Sequence, residues 1–140
     1  GDRRVREFAG LPQTLALDRL RISHGSPAGD MEPFVPVDGG DDGRLLAGAT
    51  EPLQLGGHIH VQFERPGPGG VRIVGPGSVG LPWDGDRRAA YALVGPGLEV
   101  TLRRVTYDDA AAAAALDGIG EPWAELTARR LREARFDAGG

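Results

Sequence analysis

Three histidines carry most of the chemistry open to this chain, and two of them stand two residues apart in Gly56-Gly57-His58-Ile59-His60. If that stretch is extended, residues i and i+2 point to the same side, so both imidazoles reach one metal centre or two adjacent ones. The paired glycines let the backbone turn sharply as it leaves the apolar run Leu53-Gln54-Leu55. The third histidine, His24, follows Leu20-Arg21-Ile22-Ser23 and precedes Gly25-Ser26-Pro27. Each histidine therefore sits where a candidate strand enters a loop, the place where open α/β sheets form their sites. The same spacing suits surface strand ends whose imidazoles are solvated or hydrogen-bonded, and spacing alone does not separate the two readings.

Two further residues qualify by type. Ser78 lies in the glycine loop 75–80, which lacks the Gly-Lys-Ser/Thr ending of a nucleotide-binding loop. It could contact a phosphate or hold the loop beneath the histidines. Arg65 could meet a substrate phosphate or form an ion pair. The acids Asp30, Glu32, Asp38, Asp41 and Asp42 fit no calcium-loop spacing and read as solvated loop charge.

Taken in order, His24-Gly25-Ser26-Pro27, then Gly57-His58-Ile59-His60-Val61-Gln62-Phe63 with Arg65, then Gly75-Pro76-Gly77-Ser78-Val79-Gly80-Leu81-Pro82 resemble the C-terminal half of a calcineurin-like metallophosphoesterase. The type is the small bacterial predicted phosphodiesterase, and the resemblance runs over residues 11–131. It implies two divalent metal ions (Mn, Fe, Zn or Ni), with His24 and His58 on one and His60 on its neighbour. Ser78 and Arg65 would support the ligands or touch the substrate. The implied reaction is hydrolysis of a small phosphoester, with metal-bound hydroxide attacking phosphorus. Two positions depart from the pattern: Ile59 replaces the usual threonine, and Gly75 the usual asparagine of an Asn-Pro-Gly-Ser loop.

The family's Asp-x-His, bridging Gly-Asp and Gly-Asn-His-Asp segments have no counterpart here. Gly1-Asp2 matches the second only superficially. The resemblance thus makes residues 1–140 the C-terminal part of a single domain whose N-terminal metal-binding half is absent, so that the chain alone is expected to be inactive. The expected fold is α/β, half of a metallophosphoesterase sandwich, with a mixed sheet and flanking helices. One apolar sheet face should stand open, to be covered by the missing half or by a homodimer partner. The alternative is a non-catalytic remnant acting as a binding or scaffold module.

The elements that must position these residues read as follows. Residues 14–17 and 20–23 form a hairpin around Asp18-Arg19, and 28–43 form a loop. A short helix over 44–49 leads into a strand at 53–55. Strands at 61–64 and 71–74 flank a Pro-Gly turn, as do strands at 89–94 and 98–107, with Leu98, Val100 and Leu102 sharing a face. Asp108 or Asp109 caps a helix over the alanine run 110–115. Pro122 opens a last helix to about residue 134, with Trp123, Leu126, Leu131 and Ala134 as its buried stripe.

Composition narrows the function classes. A net charge of −4 offers no basic stripe for nucleic acid. All sixteen basic residues are arginine, a pattern that base composition explains more simply than phosphate recognition. With no cysteine, metal ligands must be histidine or carboxylate. No membrane span or signal peptide is visible, so a soluble, cytoplasmic protein is expected.

Overall fold

Two short apolar runs joined by Asp18-Arg19 form the first hairpin of the structure, a computed structural model that describes residues 2–136; Gly1 of the Gly1-Asp2 pair lies outside them. Strands β1 (Thr14–Leu17) and β2 (Leu20–Ser23) pair antiparallel, and Asp18, at φ 47°, takes the left-handed turn position. Strand β2 then runs parallel to β3 (Leu53–Gly56), which runs parallel to β5 (Arg72–Pro76). The edge strand β4 (Gln62–Pro66) pairs antiparallel with β5. The order β1-β2-β3-β5-β4 makes a mixed five-stranded sheet, as expected.

One face of this sheet is covered by the chain between β2 and β3. That segment contains the short helix α2 (Asp42–Leu45) and inserts Phe34, Leu45 and Leu46 against Phe63, Val71 and Ile73. The helix begins two residues earlier than expected, because the Asp41 carbonyl accepts the Arg44 and Leu45 N–H groups. It ends sooner because Ala47 and Gly48 are both left-handed.

On the other face the register aligns Leu15, Ile22, Leu55 and Val74 in one row. Strands β6 (Ala89–Val94) and β7 (Val100–Val105) form a separate two-stranded sheet rather than extending the first. The Arg72 Nη1 donates to the Leu98 carbonyl, and Gln62 Nε2 donates to the carbonyls of Tyr91 and Arg103, so the small sheet is fastened to the β4–β5 side. Exposure along the row rises accordingly, from 0% at Val74 to 37% at Ile22 and 45% at Leu15. Leu98 sits at φ 66° in the turn, outside the strand expected to contain it.

Helix α3 (Asp109–Asp117) is capped by Asp108, whose Oδ1 accepts the Ala111 N–H. It packs on α4 (Pro122–Glu133) through Ala113, Ala128 and Leu131. Two of these three residues are alanine, and Trp123 is not part of that contact. Trp123 is 59% exposed, and Ala124 takes the inward position assigned to it. A further helix that the sequence did not announce, α1 (Asp2–Ala9), precedes the hairpin.

Candidate metal centre

The C-terminal ends of the parallel neighbours β2 and β3 deliver His24 and His58 to the same place. The approach is close because the glycines there have no side chains. A Cβ on Gly56 would lie 2.6 Å from the Gly25 carbonyl oxygen and 3.1 Å from the Phe34 ring. A Cβ on Gly57 would lie 3.1 Å from the His24 oxygen, which accepts the Gly57 N–H at 2.7 Å. The glycine pair thus serves interstrand contact rather than a left-handed turn.

The left-handed positions fall on the histidines themselves, His58 at φ 69° and His60 at φ 56°. Residues 58–60 are therefore bent and not extended, which corrects the alternation assumed from sequence. Ile59 nevertheless turns away from the ligands and packs against the Phe34–Phe63 core. His58 Nδ1 lies 3.2 Å from His24 Nε2, with the rings edge-on at 89°. Metal–imidazole bonds of about 2.0–2.1 Å at a tetrahedral angle put neighbouring ligand nitrogens about 3.3–3.4 Å apart. The observed pair fits one edge of such a shell. A complete protein shell needs more: among the described residues, no group of three or more His, Cys, Asp or Glu side chains could hold a metal ion.

His60 is held separately. Its Nδ1 lies 2.7 Å from the Leu81 carbonyl oxygen, which can only accept, so Nδ1 carries a proton and, in the neutral imidazole, Nε2 holds the lone pair. The imidazole stacks on Trp83 at 4.2 Å and 19°, and Trp83 packs on Phe136 at 4.5 Å. The Trp83 N–H also donates to the His60 carbonyl. Ser78 Oγ accepts the Leu81 N–H at 3.0 Å, which ties the glycine loop to the carbonyl that His60 uses. Beside this group, Asp84 accepts the Gln62 N–H and the Arg104 guanidinium. Burial opposes ionisation of Asp84, but Arg104 and the Gln62 N–H outweigh it and hold the carboxyl below its ordinary range. Trp83 and Asp84 were not singled out from sequence; their only signal was an aromatic and an acid directly following the quoted Leu81-Pro82.

Arg65 faces elsewhere. Its guanidinium makes a two-point pair with Asp42 and donates to the carbonyls of Val35 and Pro66. Its polar contacts include none of the histidines. Asp42 is 2% exposed, so it is a buried partner rather than the solvated loop charge expected. Gly75 has an equally local explanation. A Cβ there would lie 2.4 Å from the Phe63 ring and 2.8 Å from the Val61 carbonyl oxygen. An asparagine, the residue usual in the resembled loop, has no room beside this Phe63.

Among solved structures, the chain is similar to a metallophosphoesterase from Sphaerobacter thermophilus, with a TM-score of 0.81 and 26% identity over 96% of this chain and 62% of that one. It is also similar to a hypothetical protein from Pyrococcus horikoshii OT3, with a TM-score of 0.76 and 20% identity over 94% of this chain and 54% of that one. The chain thus spans about three fifths of the first neighbour's length and about half of the second's. Neither a protein-family model nor a curated protein matches it. The mixed α/β fold, with its mixed sheet and flanking helices, is the fold of that metallophosphoesterase.

Proposed function

We propose that this chain contributes one side of a phosphoesterase site, with His24 and His58 on one divalent ion and His60 on its neighbour. The observation that carries this reading is the 3.2 Å approach of His24 Nε2 to His58 Nδ1 at adjacent parallel strand ends. The likeness to a metallophosphoesterase at a TM-score of 0.81 supports it. Neutral imidazoles suit Mn, Fe, Zn or Ni. When bound, such ions supply a water of lowered pKa and neutralise charge on phosphoryl oxygens. The chain's own residues hold two imidazole nitrogens within one coordination edge and, in the neutral His60 ring, place the proton on Nδ1 so that Nε2 is the donor atom. The substrate class is a small phosphoester. Residues 1–140 are read as the C-terminal part of one such domain, the further ligands coming from another polypeptide segment or a second copy.

The test is hydrolysis of an aryl phosphodiester by the purified chain with added Mn²⁺, alongside Mn²⁺ binding. The account predicts no turnover above the metal-only blank, but Mn²⁺ binding that weakens in His58→Ala. Turnover that disappears in His58→Ala would mean that the site is complete as supplied. The lack of a third clustered ligand among the described residues favours one other reading, a non-catalytic binding or scaffold module. It predicts that replacing His24, His58 or His60 leaves stability in the presence and absence of Mn²⁺ unchanged.

A further inference from the structure

We infer that Trp83 is the positioning residue of His60: its indole fixes the plane of the imidazole while the Leu81 carbonyl selects the tautomer. An imidazole has two freedoms that matter to a ligand, the plane of its ring and which nitrogen carries the proton. The hydrogen bond to Leu81 selects the nitrogen only while the ring lies in the plane that brings Nδ1 to the carbonyl. A single bond leaves the ring free to swing out of that plane. The stack at 4.2 Å and 19° removes the swing.

The indole is itself immobilised. Phe136 packs on it at 4.5 Å, and the Arg130 guanidinium lies 4.3 Å over Phe136. The Trp83 N–H to the His60 carbonyl fixes the two backbones to each other, and Ser78 Oγ fixes the Leu81 peptide. Residue 83 therefore touches residue 60 through both main chain and side chain. The indole Nε1 is buried with no hydrogen-bond partner, so its polar atom is a cost at this position. The aromatic face is what the site uses, and a phenylalanine should replace it.

Trp83 acts through His60, so the inference rests on reading His60 as a ligand, and its test must not depend on activity. Long-range ¹H–¹⁵N correlation of the metal-free full chain at mildly alkaline pH reads each imidazole directly. In the wild type, His60 should show one tautomer with the proton on Nδ1. Its ring protons should lie upfield of those of His24 and His58. In Trp83→Leu the two His60 nitrogens should move toward the averaged shift of a freely exchanging ring, while His24 and His58 stay in place. Trp83→Phe should restore the single tautomer. A general structural role would instead move all three histidines.

Averaged nitrogens and no upfield shift in the wild type would overturn the inference, and this decides the matter even where Trp83→Leu fails to fold. An unchanged single tautomer in folded Trp83→Leu would overturn it too. A locked tautomer whose His60 signals ignore added Zn²⁺ would refute His60 as a ligand and still support the positioning by Trp83.

Discussion

His58 and His60 both hold a left-handed backbone, and the cost of that conformation can be separated from the chemistry of the ring. A left-handed non-glycine residue costs roughly 1–2 kcal/mol, and such strain gathers at functional sites. His58→Gly and His58→Ala should therefore lose Mn²⁺ affinity alike, while the glycine variant is the more stable by about 1 kcal/mol in urea denaturation. Equal midpoints would remove the strain from the account. At Gly75 the steric limit is sharper. Restoring the usual asparagine drives a Cβ to 2.4 Å from the Phe63 ring. Gly75→Asn should destabilise by about 1–3 kcal/mol, and Phe63→Leu should recover part of the loss. The histidines were legible as site candidates because their type and their place at strand ends needed only short-range pattern. The bend at 58–60 was not, since an adjacent glycine pair offered a ready but incorrect hinge.

At the scale of elements, two ion pairs fasten loops to the sheet that carries the site. Arg65 on β4 holds Asp42 at the start of α2, with side chains only 10% and 3% exposed. Removing one partner leaves a buried charge alone, so Arg65→Ala should cost about 3–5 kcal/mol in urea denaturation. Arg21 on β2 holds Glu51 just before β3 through two hydrogen bonds of 2.9 and 2.6 Å. The Arg21 hydrogen bond lowers the Glu51 carboxyl from its ordinary 4.5 to about 2. The folded form thus favours the ionised state. This stability is present at neutral pH and is lost as pH falls from about 4.5 through about 2. In Glu51→Gln that part of the acid sensitivity should vanish from a stability–pH profile. Strands and hairpins were readable because turn residues and apolar runs are local signals. The Arg65–Asp42 pair joins residues 23 apart, a distance no local signal spans. Trp123 was misplaced because helical spacing fixes a face only within a residue, and Ala124 takes the inward position instead.

For the whole molecule, the sheet is covered unevenly. One face lies under the Phe34–Leu46 segment, whereas the other opens toward β1, where Leu15 and Leu17 are 45% and 48% exposed. Among the described residues no helix is long and apolar enough to cross a membrane. The resemblance to a metallophosphoesterase foresaw the mixed sheet that the 0.81 TM-score match bears out. The separation of β6 and β7 into their own sheet was not legible, because continuous hairpin spacing does not say where a sheet ends. The account turns on His24 and His58 sharing one divalent ion. The most direct measurement is the paramagnetic broadening of the histidine ring signals as substoichiometric Mn²⁺ is added to the full chain. The account predicts that His24 and His58 broaden together and that His58→Ala abolishes the broadening at His24. Broadening at His24 that persists undiminished in His58→Ala, or no broadening at either ring, would contradict it.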